Sequence, residues 1–97
     1  IVIGPVVLDS NTYTVSRGEQ VLELPKKEFE LLYKLLSYPG QIFTRNQLLD
    51  DIWGFDSESG EDTVKTHISR LRNKLRSIEE FRIITIKGLG YKAEVLE

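Results

Sequence analysis

Apolar positions cluster at Ile1–Ile3, Val6–Leu8, Tyr13–Val15 and Val21–Leu24, and Gly4-Pro5, Asp9-Ser10-Asn11 and Arg17-Gly18 lie between them. Short apolar runs separated by turn residues read as β-strands. Connections this short cannot make a parallel crossover, so the pattern predicts a four-stranded antiparallel meander. The period then changes. From 26 to 38, Phe29, Leu32, Tyr33 and Leu36 fall on one stripe of a helix, and Leu31 and Leu35 fall on another. At about 100° per residue the two stripes face different sides, so this helix should be covered twice. Pro25 is expected to open it, where a missing N–H costs nothing, and Pro39-Gly40 to end it.

Gln41-Ile42-Phe43 is long enough for one strand rung. Thr44 and Gln47 form a Thr-x-x-Gln capping box that starts a second helix through Leu48, Leu49, Ile52 and Trp53, with Gly54 as its stop. Residues 54–60 make a polar, acidic loop. A third helix is predicted from about Glu61 to Arg76, its apolar residues Val64, Ile68, Leu71 and Leu75 forming one narrow stripe. Arg82–Lys87 and Tyr91–Val95 alternate around Gly88-Leu89-Gly90 as a hairpin. Four strands, three helices and a hairpin give an α+β winged helix-turn-helix over 1–97. Phe29, Leu32, Leu36, Leu48, Ile52, Ile68, Leu71 and Ile84 are its expected core.

Composition narrows the function. A chain of 97 residues fits one domain, able to bury roughly two-thirds of the surface its unfolded form exposes. It has no Cys, which removes disulfide and thiol chemistry and leaves zinc only His67 and scattered carboxylates. No apolar run approaches the ~20 residues of a membrane span, and no signal-peptide pattern is visible, so a soluble chain is expected. A first residue of Ile suggests a piece of something longer.

The net charge of −2 argues against a nucleic-acid partner until it is mapped. Residues 1–62 hold 5 basic and 11 acidic side chains, whereas 63–97 hold 8 basic and 4 acidic. Within 63–76 there are five basic residues and no acid. A local positive stripe is what a phosphate backbone responds to.

On the third helix Ile68, Leu71 and Leu75 fall within about 40° of Val64. Thr66, Ser69, Arg70 and Asn73 lie opposite; Lys65, Arg72 and Arg76 occupy one flank, His67 and Lys74 the other. A major groove admits such a helix. Arg70 is the first candidate for base readout, because guanidinium can bond guanine O6 and N7 together. Thr66 offers a methyl to thymine or a hydroxyl to either partner. Lys65, Arg72 and Lys74 are phosphate candidates, giving affinity without sequence information.

Three segments, LPKKEFELLYKLLSYPGQIFTRNQLLDDIWG (24–54), TVKTHISRLRNKL (63–75) and IITIKGLGYK (83–92), make the chain resemble the winged-helix output domain of OmpR/PhoB-type response regulators. The resemblance covers nearly the whole chain. It implies a third helix in the major groove and a wing on the adjacent minor groove or its backbone. Base contacts would fall on Thr63, Thr66 and Arg70. Backbone contacts would fall on Trp53, His67, Arg72, Thr85 and Tyr91, with Lys87 at the wing tip.

The resemblance further implies a bacterial, cytoplasmic two-component transcription factor without a cofactor. Its partners would be double-stranded DNA with tandem half-sites, an N-terminal receiver domain absent from this chain, a sensor kinase and RNA polymerase. The paired domains would sit as a dimer on DNA, with no membrane involved. The loop residues Phe55, Asp56 and Glu58 would either be the polymerase contact or belong to an idle exposed connector. Two positions depart from the family pattern. Lys87 replaces an Arg whose planar fork suits a narrow groove. Asp62 stands where many members carry a non-acidic residue; it can cap the helix or accept from cytosine N4, and capping is the expected role.

Other chemistry is weaker. His67 has no Asp or Glu at i±3 or i±4, which suits a phosphate donor or a packed residue better than a catalytic base or metal ligand. Asp50 and Asp51 diverge by about 100° on their helix and read as solvated. Gly88-x-Gly90 lacks a following helix and reads as a hairpin tip, not a phosphate cradle. Trp53 reads as a core anchor whose indole N–H reaches the surface. No nucleophile–base pair exists, so no enzyme is expected. The alternative is a winged-helix interaction module that docks on RNA polymerase or another partner with little use of DNA; the acidic total charge leans that way.

Overall fold

The computed structural model describes residues 1–54 and 60–96. The N-terminal meander comprises β1 (Val2–Ile3), β2 (Val6–Asp9), β3 (Thr14–Arg17) and β4 (Gln20–Glu23), each antiparallel to the next. Strand alternation turns Val6, Leu8 and Val15 inward, where they are buried. That face covers α1 (Lys26–Ser37), with Tyr13 tilted against Phe29 at 5.5 Å between ring centroids.

Both apolar stripes of α1 are used. Phe29, Leu31, Leu32, Leu35 and Leu36 are all buried, because the meander covers one side and the two later helices and the wing cover the other. Pro25 precedes the helix as its N-cap, one residue earlier than its expected place inside the first turn.

β5 (Phe43–Thr44) leads directly into α2 (Arg45–Ile52). Thr44 Oγ1 accepts from the Gln47 N–H at 3.1 Å, and the Gln47 side chain accepts from the Thr44 N–H at 2.9 Å, so the capping box is complete. Lys27 Nζ donates to the Ile52 carbonyl at 2.6 Å, closing the other end of α2. α3 spans Glu61–Lys74 and packs on α1 and α2 through Val64, Ile68 and Leu71, each at most 1% exposed.

The wing is β6 (Phe81–Ile86) paired with β7 (Gly90–Val95), and β5 adds to the far edge of β7 to make a three-stranded sheet. Gly88 turns the tip at φ +76°, a conformation that favours glycine. Gly90 is required for a different reason. A Cβ there would lie 1.9 Å from the Phe43 carbonyl oxygen, so only glycine lets β5 and β7 approach.

One core expectation is corrected. Ile83, not Ile84, is the buried member of that pair. Ile83 sits opposite Ala93 on the inner face, whereas Ile84 sits opposite Lys92 on the outer face and is half-buried. The other seven predicted core residues are buried.

Candidate nucleic-acid interface

Anchored on its apolar stripe, α3 turns Asp62, Lys65, Thr66, Ser69 and Arg70 to solvent. These five side chains line one shallow depression along the helix. None of the described parts of the protein covers it. The helix is about 21 Å long at 1.5 Å per residue, enough to follow a groove through several base pairs.

The flanking residues divide by what they touch. His67 is half-buried; its Nδ1 lies 2.7 Å from the Thr63 carbonyl oxygen, so that nitrogen carries the proton and donates. The ring also meets Trp53 edge-on at 4.9 Å. Trp53 is half-buried at the C-terminal end of α2, so the Trp53–His67 contact holds that end of α2 against α3. Thr63 is half-buried at the rim of α3.

Arg72 has a structural task that spacing does not disclose. One of its terminal nitrogens donates to the Ile83 carbonyl at 2.9 Å and to Thr85 Oγ1 at 2.8 Å, tying α3 to the wing. Its remaining N–H groups and the exposed Thr85 stand side by side at the surface. Lys87 is exposed at the wing tip beside Leu89.

Two expected contacts sit elsewhere. Lys74 turns toward α1 and pairs with Glu28 at 2.8 Å, a carboxylate only 2% exposed. Its ammonium neutralises a buried acid instead of joining the outward face. Tyr91 is 4% exposed and packs in the core opposite Phe43 and Thr85, so its ring is not available to a phosphate. Phe55, Asp56 and Glu58 lie outside the described residues.

The capping role expected of Asp62 is not what the structure shows. The residue at the helix N-cap is Gly60, no side chain caps it, and Asp62 is the second residue inside the helix. Capping is the expected role because an acid ahead of a basic run reads as a cap, although the alternative, an acceptor for cytosine N4, already needs the outward face. The wheel position relative to Val64 was the signal that could have decided between them.

Residues 18–93 match the family described as "Transcriptional regulatory protein, C terminal". The chain belongs to this family. It is also 43% identical over 93 residues to the heme response regulator HssR of Staphylococcus saprophyticus, a match covering 95% of this chain and 42% of that protein. The chain thus spans about two-fifths of the length of the curated relatives it matches.

Among solved structures, the RstA DNA-binding domain of Klebsiella pneumoniae, in complex with the RstA box, superposes with a TM-score of 0.81 at 31% identity. That match covers 97% of this chain and 95% of the other. The AdeR DNA-binding domain, in complex with an intercistronic region, superposes with a TM-score of 0.82 at 26% identity over 99% of this chain and 100% of that one. The family is one of transcriptional regulators, not a class of enzymes. Among the described residues, no helix is long and apolar enough to cross a membrane.

Proposed function

We infer that this chain is the sequence-specific, double-stranded-DNA-binding output domain of a bacterial two-component response regulator. The observation that carries the reading is α3 itself. Val64, Ile68 and Leu71 are sealed into the core, while Lys65, Thr66, Ser69 and Arg70 stand exposed along an uncovered face. In this reading α3 lies in the major groove and the Lys87 tip reaches the adjacent minor groove or its backbone. Arg70 and Thr66 meet base edges, with Thr63 at the rim. Lys65, Trp53, His67, Arg72 and Thr85 face the phosphates on either side.

The wider assignment follows from kinship with response regulators. A receiver domain would precede this one in the same protein, and a sensor kinase would supply its phosphoryl group. Two copies would bind tandem half-sites one helical turn apart, where they would meet RNA polymerase in the bacterial cytoplasm. A salt titration tests the DNA reading. Duplex affinity should fall with a log–log slope on the order of −4, about 0.9 for each phosphate neutralised. Arg70→Ala should flatten preference at one base pair, an effect of roughly 1–3 kcal/mol in discrimination. Salt-insensitive binding, or an Arg70→Ala variant as selective as its parent, would favour a protein-docking module instead.

A further inference from the structure

We propose that Asp62 is a specificity-determining residue that selects cytosine about three base pairs from the one Arg70 reads, an inference that rests on α3 lying in the major groove. Three observations carry it. Asp62 does not cap α3, since that place is taken by Gly60. It is exposed and lies about 160° around the helix from Val64, in the middle of the outward face. It shares one surface depression with Lys65, Thr66, Ser69 and Arg70. Among the described residues, no hydrogen bond or ion pair engages its carboxylate.

The chemistry then leaves few partners. An ionised carboxylate only accepts hydrogen bonds. In the major groove guanine N7 and O6 and thymine O4 are acceptors and repel it, whereas cytosine N4 and adenine N6 donate. Adenine sets the acceptor N7 beside that donor, which opposes the second carboxylate oxygen. Cytosine carries no acceptor there. Cytosine is therefore the preferred base. Asp62 precedes Arg70 by eight residues, about 12 Å of helix rise. At about 3.4 Å per base pair this places the two readout positions roughly three base pairs apart. An acid in the groove also repels every phosphate, so Asp62 lowers affinity for all duplexes except those that return a hydrogen bond. Discrimination rises while general affinity falls.

The test is selection of bound duplexes from a randomised pool by the parent chain, Asp62→Ala, Asp62→Asn and Arg70→Ala. The parent should enrich a cytosine and a guanine about three base pairs apart. Asp62→Ala should lose the cytosine preference, roughly fivefold or more, keep the guanine and bind non-cognate duplex more tightly. Asp62→Asn, nearly isosteric, should move the preference toward adenine, whose N6 and N7 suit an amide. Arg70→Ala should lose the guanine alone. If both Asp62 variants keep every base preference of the parent, Asp62 is no reader and only its field is felt. If the parent itself enriches nothing, groove binding by α3 fails and this proposal falls with it.

Discussion

Glu28 and Lys74 illustrate how a single side chain can be diverted from the surface its sequence neighbours occupy. Lys74 belongs to the basic run of α3, yet its ammonium is held at 2.8 Å by a carboxylate that α1 has carried into the core. Removing the lysine leaves that carboxylate without its charged partner. Lys74→Met should therefore destabilise the fold by about 1–3 kcal/mol in urea unfolding, with Glu28→Gln in the Lys74→Met background recovering part of the loss. The same substitution should leave the salt slope of duplex binding nearly unchanged, because the ammonium does not face the groove. Ile68 is the opposite case, a residue whose role the pattern states outright. Ile68→Ala should cost about 2–5 kcal/mol and misplace the outward face along with the core. Gly90→Ala, whose new methyl would meet the Phe43 carbonyl, should cost about 1–3 kcal/mol or more through forced separation of β5 from β7.

At the scale of elements, Arg72 couples the reading helix to the wing. Both of its hydrogen bonds into β6 leave from one terminal nitrogen, so the rest of the planar guanidinium stays available to a phosphate, a division of labour that the single nitrogen of an ammonium cannot make. Arg72→Lys should thus weaken binding to all duplexes alike while keeping the charge, the salt slope and the base preferences; a lysine variant with parental affinity would show that only charge matters there. The hydrophobic pattern discloses the elements themselves well. The capping box at Thr44, the stripe of α3 and the double stripe of α1 each follow from local periodicity and local hydrogen bonding, and each is present in the structure. The pattern fails where two adjacent residues are equally apolar. Ile83 and Ile84 both satisfy a strand, and only pairing with β7 decides which one faces inward.

At the scale of the molecule, the contacts between parts come from residues far apart in the chain, which is why the sequence hides them. Arg17 on β3 makes a two-pronged contact with Glu80, 63 residues later, through Nε at 2.9 Å and a terminal nitrogen at 3.0 Å. Gln20 reaches Ser77 at 3.1 Å beside it. Both contacts clamp the meander onto the segment between α3 and the wing. The hydrogen bond from Arg17 holds the Glu80 carboxyl below its usual range, and the same bond raises the Arg17 guanidinium further above its ordinary value. A depressed carboxyl contributes stability that is present above its unfolded value and is lost as pH falls through the folded one. Unfolding midpoints measured from pH 7 down to about pH 3 should therefore drop less steeply in Glu80→Gln than in the parent. The arginine adds nothing measurable in that window, since it stays charged throughout.

The candidate site divides in the same way. Thr66, Lys65 and Arg70 are legible because one helix's geometry places them. Lys74, Tyr91 and the wing contact of Arg72 are not, because other elements decide where those side chains go.

Thr44 pairs with Gly90 in the wing's sheet and also caps α2, while Arg72 bolts α3 to the same sheet. Reading helix and wing are consequently mounted on one chassis with a fixed bite. A duplex that does not match that spacing must bend or change its groove width to be held, so the bending stiffness of the target enters the choice of site even at base pairs no side chain reaches.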